Sequence, residues 1–197
     1  MNLRIPPRHF RLSLRVLVPL LAGLCALVGG QTLASAGTAE GPRASAAVVV
    51  TYDASGSEEF ADAVEKGVGV WNEQVQNVEL KPAGSGERAD VTVLADDGWP
   101  RAQVPELGKG TVWMGRQAVN EGHDVVRIAA HEFGHILGLP DRKPGPCSSL
   151  MSGASAGPDC KNAIPNEAEK AEVESNFGSQ YAELRDVRLD RVFVDRP

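Results

Sequence analysis

His131, Glu132 and His135, in the stretch HEFGH, are side chains of a kind and spacing that could hold a metal and activate water. Residues four apart share one face of a helix, so the two imidazoles can converge on a single ion, about 2.0–2.1 Å from each ring nitrogen. Glu132 follows the first imidazole directly and reaches toward a water on that ion rather than the ion itself, the placement a general base requires. Gly138 stands where such a helix would end in a left-handed residue, and the resulting turn can return Asp141 as a third ligand. Three protein ligands with a fourth position left to water form the pattern of catalytic zinc, whereas structural zinc sites are usually closed by four. The expectation is one zinc on His131, His135 and Asp141, with Glu132 as the catalytic base. A bare HExxH occurs by chance in many helices; the glycine and the acid at the longer spacing give this one its weight.

Several elements must position these residues. Asp124 can cap the helix that carries the histidines, and Ile128, Phe133, Ile136 and Leu137 give it an apolar face, with its end near Leu137. Upstream, Ala47 to Tyr52 (AVVVTY) reads as a β-branched strand followed by a turn at Asp53 to Gly56. Ser57 can then cap a helix with an apolar stripe of Phe60, Val64, Val68, Trp71 and Val75. Val78 to Lys81 and Val91 to Ala95 are two further short strands, and the β-α-β-β order implies a mixed sheet. A polar loop is expected from Asp96 to Gly108, then an edge strand, GTVWMG, from Gly110 to Gly115. Asn166 is placed to cap a last helix from Glu167 to about Phe177. The residues after Gly178, including LRDVRLDRVFVD, alternate valines with charges and could form a strand or stay loosely attached.

The N-terminal residues read as an export address. Arg4, Arg8, Arg11 and Arg15 precede an apolar run from Val16 to Val28, and Ala34-Ser35-Ala36 has the form of a cleavage site, so 1–36 is expected to be a secretory signal peptide. That run, interrupted by Pro19, is too short for a stable membrane span. Residues 37–46 read as a leader or short propeptide, 47–178 as the metal-bearing domain and 179–197 as a C-terminal extension. The signal takes four of the 20 basic residues and none of the 26 acidic ones, so the mature chain is strongly acidic. That charge disfavours nucleic acid and anionic membrane as partners and leaves polypeptide. Secretion to the exterior as a monomer is expected. It also favours a disulfide between Cys147 and Cys160 over a second zinc site, which would lack a nearby histidine.

From RIAAHEFGHILGLPD through GPCSSLMSG to GPDC and IPN, the chain resembles the metzincin metalloproteases, and the aspartate at Asp141 narrows the likeness to the snapalysin type, small secreted neutral proteases. The resemblance implies an α+β, zincin-like fold: a twisted mixed sheet with an antiparallel edge strand, packed on two long helices, with a C-terminal helix after a methionine turn. It implies a zinc endopeptidase that hydrolyses extracellular proteins, with Met151 in the methionine turn. By the same likeness Val112, Trp113 and Met114 would contact substrate, and Asp124 would be one ligand of a calcium ion. Lys143 stands where the family has a tyrosine able to donate to the oxyanion, and a flexible ammonium is less preorganised there. The alternative to an enzyme is a catalytically weak, zinc-dependent binding protein of the same fold.

Overall fold

In the computed structural model of the chain, residues 46–197 are described; the expected signal peptide 1–36 and nearly all of the leader 37–46 lie outside them. Strand β1 (Val48–Gly56) pairs parallel with β2 (Val78–Pro82) on one side and with β3 (Val91–Asp96) on the other. Beyond β3 come β5 (Lys109–Gly115), parallel to it, then β4 (Arg101–Glu106), antiparallel to β5. A last strand, β6 (Arg191–Val194), runs antiparallel to β4, giving the order β2-β1-β3-β5-β4-β6. The Asp53 to Gly56 segment, expected as a turn, continues β1 through a register shift against β3.

Two helices cover one face of this sheet. In α1 (Ala61–Gln74) the stripe Val64, Val68 and Trp71 is buried, as the 3.6-residue spacing requires. Ser57 does not cap it: a 3-10 turn at Glu58–Phe60 intervenes, and the Ser57 hydroxyl donates to Ala54 O instead. In α3 (Val125–Ile136) the Asp124 carboxylate accepts from Arg127 N, the expected cap. The two helices pack on each other, and the buried Trp71 Nε1 donates to Ala130 O at 2.8 Å, so the indole locks α1 to α3 without leaving a polar atom unpaired. Sheet residues Val50, Val93, Ala102, Val112 and Met114 complete the core against Phe60, Ile128, Phe133 and Ile136. Each large side chain taken wholly out of water there contributes about 1.5–3 kcal/mol.

Two sequence expectations fail in this part of the sheet. The stretch after Asp96 is no loop but contains β4, whose Pro105 and irregular pattern hide it; the proline falls in the register shift between Gln103 and Glu106, where the ladder with β5 is interrupted. In consequence Gly110–Gly115 is not an edge strand, because β3 and β4 flank it on either side. The antiparallel edge of the sheet is β6, which covers the outer side of β4.

After α2 (Arg116–Asn120) and α3, the chain passes through a 3-10 segment, Leu150–Ala156, to α4 (Glu167–Phe177) and the short α5 (Tyr181–Leu184). Asn166 caps α4 through a full capping box with Glu169. Among the described residues, no helix is long and apolar enough to cross a membrane.

Candidate metal centre

Helix α3 ends as the sequence requires. Leu137 N still donates to Phe133 O, Gly138 takes φ +96°, and Leu139 N returns to Gly134 O, so the backbone reverses direction at a residue that pays no Cβ penalty. That reversal does two things for the site. It brings Leu139 O to 2.8 Å from His135 Nδ1, and it carries Asp141 back over the helix face. His131 Nδ1 meets Leu150 O at 3.1 Å. With each Nδ1–H donated to a backbone carbonyl, both rings turn an Nε2 lone pair into the same space.

The resulting donor triangle is tight. His131 Nε2 and His135 Nε2 are 3.1 Å apart, and Asp141 Oδ1 lies 3.4 and 3.6 Å from them. Ligands about 2.0–2.1 Å from a tetrahedral ion stand about 3.3 Å from one another, so these edges fit a single zinc. Asp141 Oδ1 and both oxygens of Glu132 are buried without a hydrogen-bond partner. Buried polar atoms left bare in this way are expected of a site whose partner is an ion or water. Both histidines and Glu132 are at most 1% exposed.

The electrostatics point the same way. Burial pushes both imidazoles down; for His131 it is outweighed by Asp195, Asp141 and Glu132, which raise it, while for His135 the charge on His131 adds to burial and lowers it further. Burial, with Asp195 and Asp141 close by, lifts Glu132 well above the usual carboxylate range. Three carboxylates thus surround a pair of rings that can share one positive charge, which is what a place for a divalent cation looks like before the cation binds.

Below the histidines lies the Leu150–Ala156 segment. Met151 is fully buried, its sulfur 2.6 Å from where a Cβ on Gly134 would stand. Two buried charges hold this segment, and sequence reading passed over both. Glu169 accepts from Ser149 Oγ, Leu150 N and Met151 N, while the Arg127 guanidinium donates to Ser149 O, Ser152 Oγ and Asn162 O. The capping-box spacing from Asn166 to Glu169 was a legible signal; nothing marks Arg127 among the other surface-type charges. The Cys147–Cys160 disulfide, with Cα atoms 5.5 Å apart, brackets the segment.

The remaining expected site residues fall elsewhere. Val112 and Met114 point into the core and are wholly buried, and Trp113 lies under the Arg101 guanidinium at 4.5 Å on the other face, so β5 presents no backbone edge to a ligand. Asp124 serves the helix cap. Among the described residues, the groups of three ligating side chains within reach of one ion are His131, His135, Asp141 and His131, Glu132, Asp195; Asp124 is in neither. Lys143 does stand at the site, its Nζ 3.5 Å from Asp141 Oδ1, but its closer partner is Asp195 Oδ1 at 2.7 Å. Asp195 and Phe193, from the extension given no role in the sequence, are the unforeseen members: the Phe193 ring stacks on His135 with centroids 4.0 Å apart and planes 4° from parallel.

The family model described as the Streptomyces extracellular neutral proteinase (M7) family matches residues 47–179. The chain is 39% identical over 153 residues to the extracellular small neutral protease of Streptomyces sp. (strain C5), covering 78% of this chain and 66% of that one. With the extracellular small neutral protease of Streptomyces caespitosus it shares 40% identity over 128 residues, 64% of this chain and 94% of the relative. Among solved structures, archaemetzincin from Methanopyrus kandleri superposes with a TM-score of 0.42 at 16% identity, over 68% of this chain and 97% of that one.

Proposed function

Since the chain belongs to the Streptomyces extracellular neutral proteinase (M7) family, we propose that it is a secreted zinc endopeptidase acting on polypeptides, with His131, His135 and Asp141 holding the metal and Glu132 as general base. The observation that carries this reading is the triangle of donor atoms, 3.1 to 3.6 Å on a side, with bare carboxylate oxygens beside it. The names of the relatives support export, as does the N-terminal signal pattern.

A bound zinc supplies a Lewis acid that polarises the scissile carbonyl and acidifies water. Everything else is the work of the chain. The Nδ1 hydrogen bonds to Leu139 O and Leu150 O fix the tautomers that leave Nε2 free. Glu132, unpartnered and shielded from bulk water, takes a proton from the attacking water at one carboxylate oxygen and releases it to the leaving amine. Strand β4 pairs with β5 on one side and β6 on the other, so an extended substrate could add to it antiparallel, as peptides add to a sheet edge, only where β6 gives way.

Two variants separate ligand from base. His135→Ala should lose the stoichiometric zinc found by metal analysis of the parent. Glu132→Gln should keep the zinc and lose about 10²–10⁴ of the rate of chelator-sensitive casein hydrolysis, the usual contribution of a positioned base. Zinc retained in full by the first variant, or near-normal turnover by the second, would sink the assignment.

A further inference from the structure

The groove along β4 is already filled, and by the chain itself. Residues 191–194 pair antiparallel with β4 in the register Arg101 with Val194, Ala102 with Phe193, Gln103 with Val192 and Val104 with Arg191. Flanking backbone bonds extend this ladder: Leu189 N donates to Pro105 O and Asp195 N to Pro100 O. The strand thus occupies the outer backbone edge of β4, the side on which an extended substrate would have to pair. Its side chains reach the metal centre. Phe193 lies flat on the His135 ring, and the next residue on the same face, Asp195, is 2% exposed with Oδ1 3.9 Å from His131 Nε2.

Asp195 is not there by default packing. A carboxylate so deeply buried beside Asp141 and Glu132 is costly unless something compensates it. Its Oδ1 receives Ala154 N at 2.7 Å and Lys143 Nζ at 2.7 Å, and Lys143 also donates to the backbone oxygens of Val194 and Arg196. Gly153, at φ +52°, makes the approach possible, since a Cβ there would stand 2.1 Å from Asp195 Oδ1. The extension lies beyond the 47–179 stretch that the family model matches.

We propose that residues 191–196 are an autoinhibitory strap, occupying the outer edge of β4 along which an extended substrate would pair and setting the Asp195 carboxylate beside His131 and Glu132 at the metal centre. The strap resembles a bound peptide in its pairing and differs from a substrate in the carboxylate it sets at the centre. Lys143, bonded to Asp195 and to the backbone oxygens of Val194 and Arg196, serves as its latch. The proposal rests on the zinc peptidase reading, and its test is chosen to fail separately from it.

The experiment uses the full chain loaded with cobalt or zinc. The parent is compared with the double variant Phe193→Asp, Asp195→Asn, by cobalt visible absorption, by the affinity for acetohydroxamate as a small metal-directed probe, and by casein hydrolysis. Releasing the strap should change the cobalt spectrum, tighten acetohydroxamate binding by about tenfold or more, as removal of a competing closed state predicts, and raise hydrolysis similarly. Asp195→Asn alone keeps an acceptor for Ala154 N and gives up the charge, so it should shift the spectrum even where the double variant does not fold. Spectra and probe affinities that match the parent in every folded variant overturn the strap, whatever the hydrolysis. A changed spectrum and tighter probe binding with no hydrolysis in any form would uphold the strap and remove the peptidase reading.

Discussion

The floor and the roof of the metal site are built in opposite ways. The floor, Ser149 to Ala154, is tied down by two buried charges that hydrogen-bond its backbone and its serine hydroxyls, by a disulfide at its base and by a methionine pressed against α3. The roof, β6 with Asp195, is held by one strand ladder, one stacked ring, one lysine and one buried hydrogen bond from Ala154 N, and Val192 in its middle is 60% exposed. A buried network costs several kcal/mol to open at any point, whereas an edge strand with a solvated outer face can lift away piecemeal. The difference teaches which part of the site is permanent and which is removable.

Breaking the floor should therefore be the larger insult. Glu169→Ala strands Ser149 Oγ, Leu150 N and Met151 N, each a buried donor whose lost partner costs about 1–3 kcal/mol, so a loss of about 3 kcal/mol or more is expected. In a domain of this size that lowers Tm by about 6–12 °C, measurable by calorimetry on the zinc-loaded protein. A Tm unchanged within a degree would mean the floor does not depend on this carboxylate. Next comes the disulfide. Replacing Cys147 and Cys160 by alanine opens a loop with a separation of 13 residues, for which chain entropy gives about 3 kcal/mol at most, and native flexibility commonly reduces the measured figure. The comparison would be reversed if removing the strap by Phe193→Asp, Asp195→Asn cost more stability than either floor variant.

The same division runs through what could be read from the chain. The helix carrying the histidines was legible to its cap and its terminal glycine, because Asp124, the apolar spacing and Gly138 each act through local backbone chemistry. The disulfide and the capped last helix were legible for the same reason. What escaped was non-local. Strand β4 has two partners that lie far along the chain or across a turn, and its Pro105 argues against a strand until one sees that it sits at a break in the register with β5. Placing Gly110–Gly115 at the edge followed directly from that omission, and so did assigning substrate contact to Val112 and Met114, which are core. Asp195 could not be found at all: its role depends on β6 docking 41 residues beyond Ala154, and no spacing rule links the two.

The smallest expected effect belongs to Lys143, and it sharpens the comparison most. Among the described residues its ammonium is the one lysine or arginine charge within 4 Å of both Asp195 and Asp141, so in the zinc-free protein it shares with His131 the task of offsetting the roof's carboxylate. Lys143→Met should then loosen the strap by about 1 kcal/mol, a rough fivefold increase in the open fraction, since truncating one partner of a half-buried pair leaves the other charge unmatched. Amide exchange at Asp195 N, which is protected by Pro100 O only while the strap is closed, reads that fraction directly. In the zinc-loaded protein the cation supplies the missing charge, so the same substitution should accelerate exchange less. A larger acceleration without zinc than with it places Lys143 and the metal on the same carboxylate. Equal exchange in parent and variant, in both metal states, would leave the strap held by β4 and Phe193 alone and reduce the lysine to a bystander on the surface of the roof.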